Sequence, residues 1–384
     1  MSRHVLYVNP SAVHGGAEEV LLRMMGYARE YEYQPVLVVP RGGWLTEQCE
    51  AQGIAYEFLP TLPDAFTSDH WQQQFRPWPR NALAIARLAR KWGAAIVHSN
   101  TPRASYHGGL GARLARVAAV THVHDIVSLP YASPLKARLL GSLTDRTLVV
   151  SKAVERAVLG FAPRLEARVQ TLYNGWDVSV YEGVRPANLR ELFGVPEDAF
   201  VIGNVSALTP WKGQDLLVTA FRELHERHPE AHLLVVGGAQ GSERQSDYER
   251  HLRQLVAALG LEGAVTLTGW REDAWALIKS FDLFVHVPTE PDPLPTALLH
   301  ACALGRACIG AEIGGVPEIL DGGAAGVLVP PRDAPALAEA MHSLMEDAQR
   351  RQALGIRARE HFARRFSRRQ MAAGLDYAYR QCLS

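Results

Sequence analysis

Lys212 stands in L-T-P-W-K-G-Q-D, and eighty residues later the chain runs D-P-L-P-T-A-L-L-H-A-C-A-L-G from Asp292 to Gly305. An acidic residue and a Pro-rich turn open an apolar helix there, and a glycine closes it. The first turn of a helix leaves backbone N–H groups without intrahelical acceptors, which makes it a ready anion site. The N–H groups around Leu294–Thr296, the stretch that includes Pro295, and the compact charge of Lys212 together predict a socket for a diphosphate. A turn, Gly314-Gly315-Val316-Pro317-Glu318, ends the segment.

Two further clusters could do chemistry. Gly15-Gly16-Ala17-Glu18 follows the first apolar run, where glycines let a backbone approach a phosphate or sugar at a helix start. A tight strand-to-helix turn explains the same residues. T-H-V-H-D at 121–125 ends another apolar run and places His122 and His124 on one strand face. Such a pair suits a metal, an ordinary half-buried site or a ligand contact, and no third metal ligand sits nearby in sequence. Taken alone, Lys212 also reads as a solvated lysine at a helix start. Asp292 also reads as a helix cap, and His300 as an ordinary position on an amphipathic helix.

The elements that must position these residues alternate regularly. Runs at 5–9, 35–39, 94–98, 117–121 and 146–150 are apolar without polar alternation, as buried parallel strands should be. Helical patterns separate them at Glu18–Tyr31, Arg80–Trp92 and Lys152–Leu159. A second series of strands follows at 201–205, 232–238, 264–269, 283–287, 307–310 and 326–330. This is an α/β chain of two doubly wound, Rossmann-like domains, whose ligand crevices lie at the carboxyl ends of their strands. The boundaries expected are 1–175, a linker over 176–199, 200–366, and a last helix over 367–384. Residues 60–79 break the rhythm and read as a long functional loop.

At 384 residues with 47% hydrophobic content, two packed cores are affordable. Forty basic and forty acidic residues cancel, which removes a global field for nucleic acid. Cys49, Cys302, Cys308 and Cys382 show no C-x-x-C spacing, so reduced thiols are expected rather than disulfides or zinc. The N-terminus opens on a strand without a signal-peptide layout, which predicts a cytoplasmic protein.

With these motifs in this order, the chain resembles the GT-B glycosyltransferases of family 4, the retaining, nucleotide-sugar-dependent group. The resemblance covers nearly the whole sequence. It implies two domains facing across a cleft, with the last helix crossing back to the first. It implies Gly15 and Gly16 at the donor diphosphate, Gly16 foremost, and His124 at the transferred sugar with Asp125 orienting its ring. Lys212 and the 294–296 amides would meet the charge left on the departing phosphate oxygen, a task that the absent Asp-x-Asp motif cannot give to a metal. Trp270 and Arg271 align with the loop whose backbone reads the base. Asn174-Gly175-Trp176-Asp177 aligns with the interdomain crossover and reads as structural.

Two positions depart from the family pattern. Ala207 replaces an Arg five positions before Lys212. Asp292 and His300 stand where two glutamates eight apart are usual, with Pro295 in place of a Gly. Asp292 then reaches the sugar hydroxyls from further back, and a neutral His300 accepts one ribose hydrogen bond where a carboxylate accepts two. The activity implied is metal-independent sugar transfer to a glycan, lipid-linked or small-molecule hydroxyl acceptor, without cofactor, in cell-surface polysaccharide, lipopolysaccharide or other glycoconjugate synthesis. A degenerate nucleotide-sugar binder or a GT-B epimerase is the alternative that the departures leave open. Arg103, Arg113, Arg116, Lys136 and Arg138 against Asp125 predict either peripheral contact with anionic lipid or a solvated basic face.

Overall fold

The computed structural model describes residues 3–63, 77–126, 134–238 and 243–384. The chain divides into two compact units, residues 1–176 with 367–384 and residues 177–366. The first holds a seven-stranded sheet of order β3-β2-β1-β4-β5-β6-β7: β1 (Arg3–Val8), β2 (Tyr33–Val39), β3 (Ala55–Phe58), β4 (Ala94–Ser99), β5 (Ala118–Val123), β6 (Arg146–Val149) and β7 (Val169–Thr171). The second holds six strands in the order β10-β9-β8-β11-β12-β13: β8 (Phe200–Val205), β9 (Ala231–Val236), β10 (Val265–Leu267), β11 (Leu283–His286), β12 (Ala307–Ala311) and β13 (Val327–Val329). Every ladder in both sheets is parallel. Central strands such as β1, β4 and β9 are buried almost throughout, which is why they read as unbroken apolar runs.

The sequence pattern misses β3 and β7, the two edges of the first sheet. Both are short and only partly buried, so neither needs an apolar run. The expected loop over 60–79 lies mostly outside the described residues. The stretch read as a linker is structured. Its chain leaves the first unit at Trp176, and residues 177–199 belong to the second. A 3-10 turn, Val178–Tyr181, buries Tyr181 there, and the helix Leu189–Phe193 buries Leu189.

Residues 367–384 belong to the first unit. The helix Arg368–Leu383 packs on the helix Gly16–Ala28 and buries Met371, Leu375 and Tyr379. Trp176, fully buried, bridges to Ser367, and its carbonyl accepts from Arg368 N at 2.8 Å. A Cβ on Gly175 would meet the Ser367 carbonyl at 2.4 Å, so the N-G-W-D turn serves chain crossing by close backbone approach. Among the described residues, no helix is long and apolar enough to cross a membrane. All four cysteines are free thiols.

Candidate active site

In open parallel sheets, ligands bind beyond the carboxyl ends of the strands, where the strand order reverses. In the first sheet that point lies between β1 and β4, and in the second between β8 and β11. Residues singled out in the sequence gather at both points.

At the first, Asn9 follows β1, Asn100 follows β4 and His124 follows β5, while Gly15 caps the helix Gly16–Ala28 with extended backbone and no side-chain cap. The side chains form a directional ladder. Asn9 Nδ2 donates to the Ser11 carbonyl at 2.6 Å and to Glu18 Oε1 at 3.2 Å. Both acceptors demand an NH₂ group, which fixes the Asn9 amide. Its Oδ1 then accepts from Asn100 Nδ2 at 3.0 Å, and Asn100 Oδ1 accepts from His124 Nε2 at 2.9 Å. His124 is thereby held with its proton on Nε2 and its Nδ1 an acceptor. Burial lowers its pKa to about 4, so the ring is neutral at pH 7. Burial also raises the pKa of Glu18, against the lowering bond from Asn9. A Cβ on Gly15 would lie 2.7 Å from Glu18 Oε2, so the glycine leaves room for this carboxylate.

His98 and His122 lie behind His124. The rings of His122 and His124 are 4.1 Å apart and those of His98 and His122 5.6 Å apart. His98 Nδ1 bonds the Tyr379 hydroxyl at 2.7 Å, which ties the last helix to the sheet centre. Burial takes the His98 pKa down to about 3 and that of His122 well below its usual value. These rings are neutral core groups, and the ligand atoms of the three histidines do not converge closely enough to share an ion.

At the second switch point, Lys212 ends the turn Pro210–Lys212 after β8. Its ammonium lies 2.6 Å from Asp292 Oδ2 and 4.1 Å from the centre of the Trp211 ring. The pair is nearly dry, with side chains 14% and 5% exposed. His286, the last residue of β11, donates from Nε2 to the same Asp292 oxygen at 2.9 Å. Burial opposes the Asp292 charge, but the His286 bond and the Lys212 charge outweigh it and bring its pKa to about 2. Burial and Lys212 hold the His286 ring below its usual pKa despite Asp292, so it is neutral. Gly213 has φ +74°, and a Cβ there would lie 2.1 Å from the Val287 carbonyl. Gly314, at φ +63°, would press a Cβ to within 2.2 Å of the Asp292 carbonyl. Only glycine allows these loops to close on the 287–295 segment.

Leu294 and Pro295 are buried at the entrance of the helix Thr296–Ala303, which has no side-chain cap. Asp292 does not cap it; its carboxylate faces Lys212 and His286 instead. His300 sits one turn inside, its Nδ1 2.7 Å from the Tyr181 hydroxyl and its ring 5.2 Å from that of Trp275. Trp270, half-exposed, and Arg271 follow β10. Arg271 is clasped by Asp273 at 2.8 and 2.7 Å and lies 5.5 Å from the Phe193 ring. In the basic stretch of the first unit, Arg113 pairs with Asp145 at 2.7 Å.

Sequence reasoning did not select Asn9, Asn100 or His286. Each ends or follows a strand at a switch point, and that position, rather than residue type, is the signal that could have found them.

Residues 14–180 match the family described as Glycosyltransferase Family 4, and residues 187–361 match Glycosyl transferases group 1. A Stackebrandtia nassauensis protein named D-inositol 3-phosphate glycosyltransferase is 28% identical over 79% of this chain, which spans 65% of that relative's length. A Saccharomonospora viridis protein of the same name is 30% identical over 78% of this chain and 68% of its own length. The structure of Anabaena HepE in complex with UDP-glucose superimposes with a TM-score of 0.79 at 26% identity, covering 96% of this chain and 97% of that one. Each half is matched by a glycosyltransferase family model, and the Saccharomonospora viridis relative is aligned over 68% of its length. The chain belongs to the group 1, family 4 glycosyltransferases, and its two doubly wound units are those of the GT-B fold.

Proposed function

We propose that the chain is a retaining, metal-independent glycosyltransferase that moves a sugar from a nucleoside diphosphate to a hydroxyl acceptor. The observation that carries this reading is Lys212. It is a nearly dry ammonium at a switch point, beside an uncapped helix entrance, in a chain without an Asp-x-Asp motif. An ammonium has three donors. Asp292 takes one and fixes the stem, which leaves two for phosphate oxygens. As the sugar–phosphate bond breaks, charge grows on the departing oxygen, and Lys212 with the Leu294 and Thr296 N–H groups meets it without reorganising. His124, neutral, accepts from a sugar hydroxyl through Nδ1, and Gly15 and Gly16 admit the diphosphate to the first helix terminus. His300 borders the ribose, and the Trp270–Arg271 backbone borders the base.

The HepE structures hold UDP and UDP-glucose, which favours a uridine diphosphate sugar as donor. The relatives named for D-inositol 3-phosphate favour a small phosphorylated polyol as acceptor over a polymer in glycoconjugate synthesis. No cofactor takes part, and the reaction runs in the cytoplasm. The test is a panel of nucleotide sugars by thermal shift, with and without EDTA, followed by transfer assays and NMR of the product's anomeric centre. One donor should raise the melting temperature by the same increment in both buffers, and the product should keep the donor configuration. A donor increment abolished by EDTA, or inversion at the anomeric carbon, would sink the reading.

A further inference from the structure

The second unit carries another cluster at the opposite end of the helix that begins beside Lys212. That helix, Gln214–Arg227, is 14 residues long, so its far cap, His228, lies about 20 Å from Lys212. His228 Nε2 lies 2.8 Å from Nδ1 of His342 on the helix Ala334–Glu346. On its other side, His228 Nδ1 lies 3.3 Å from Glu230 Oε1 and 3.8 Å from Glu346 Oε1. His342 and Glu346 are four apart and share a helix face. One ligand atom from each of His228, His342 and Glu346 lies within 4.8 Å of the others, which holds for no other such group among the described residues.

The tautomers follow from the carboxylates. Glu230 accepts from Nδ1–H of His228, leaving Nε2 bare and aimed at His342. A carboxylate behind an imidazole is the arrangement that orients a metal-ligating histidine. We propose that His228, His342 and Glu346 form a binding site for a divalent transition-metal ion of the zinc class, with Glu230 as the positioning residue behind His228. The ion takes the place of the proton now shared between the two rings, and His342 adopts the tautomer with its proton on Nε2, so that both rings ligate as neutral imidazoles. Zinc–nitrogen bonds of about 2.0–2.1 Å at a tetrahedral angle hold the two nitrogens roughly 3.4 Å apart. The rings therefore open by about 0.5 Å, within reach of small side-chain rotations. Glu346, an exposed side chain now beside His228 Nδ1, turns across the edge of that ring to supply the third ligand, and water supplies the fourth. The site ties the loop entering β9 to the helix Ala334–Glu346, more than a hundred residues later. It is separate from Lys212 and leaves the metal-free transfer chemistry untouched.

The test titrates tag-free, chelator-stripped full-length protein with Zn²⁺ in competition with a chromophoric chelator. One ion per chain should bind, and Zn²⁺ should raise the melting temperature. His342→Ala and His228→Ala should lose both effects while keeping the wild-type circular dichroism, and Glu230→Gln should bind 10- to 100-fold more weakly. Absence of stoichiometric uptake by the wild type, or unchanged uptake by folded His342→Ala, overturns the site. Unchanged affinity in Glu230→Gln removes Glu230 from it.

Discussion

The two switch points share a topology and differ in electrical character. In the first unit, the strand ends between β1 and β5 are joined by neutral amides and imidazoles, Asn9, Asn100 and His124. In the second, the strand ends at β8 and β11 are joined by a desolvated ion pair braced by a histidine. A neutral hydrogen bond contributes about 0.5–1.5 kcal/mol net, so the first arrangement orients groups without a strong field. Breaking a buried ion pair by removing one partner costs about 3–5 kcal/mol, so the second holds its charge firmly. One sheet plan thus carries a neutral, hydrogen-bonded cluster at one switch point and a charged one at the other.

The sharpest way to break this comparison is Lys212→Ala. Its transfer rate should fall about 10²–10³-fold, about 3 kcal/mol of transition-state stabilisation, in a radiolabelled-donor assay. Wild-type rates would move the phosphate role elsewhere. Asp292→Asn should cost about 3 kcal/mol of stability in urea unfolding at pH 7.5. Asp292 has a folded pKa of about 2, below the unfolded value of about 3.9. Its contribution is therefore full above about pH 4 and disappears as pH falls toward 2, where variant and wild type should converge.

Acid should separate the two units earlier. The His98 and His124 pKa values of about 3 and about 4 lie below the unfolded value of about 6.5. The unfolded chain takes up protons that the folded rings refuse, so their stabilisation is full above about pH 6.5 and declines as pH falls toward 4 and 3. Each buried ring should lose roughly 1 kcal/mol over the first pH unit. Hydrogen exchange of β4 and β5, which carry or adjoin His98, His122 and His124, should accelerate more steeply, corrected for intrinsic rates, than that of β8 and β11, where His286 is the lowered histidine. Equal acceleration would erase the contrast. The smallest effect expected is that of Asn100→Ala, about 1 kcal/mol. Its sharper readout is ¹⁵N NMR of His124, which should shift from one tautomer to a mixture.

Central strands were legible because burial on both faces demands continuous apolar runs, and all eleven strands read from the sequence have a counterpart in the structure. The edges β3 and β7 carry no such demand. Lys212 and Asp292 were legible as a lysine before one helix and an acid before another. Their mutual bond was not, because it depends on the β8–β11 adjacency that strand order alone supplies. His300 showed its departure from a glutamate, but not the Tyr181 hydroxyl that occupies its Nδ1. That partner comes from the stretch read as a linker, where Pro, Gly and charge conceal one buried tyrosine. His98 hid in the same way: it ends an apolar run and acquires meaning from Tyr379, 281 residues away.

The return of the chain at Ser367 makes the second unit an insertion within the first. Residues 177–366 could be excised as one gene fragment, whereas the first unit cannot be obtained by any single truncation. A stop codon that removes only the last eighteen residues would strip Tyr379 from His98 and Met371 from Gly175. The damage from a C-terminal frameshift would then surface in the amino-terminal half of the protein.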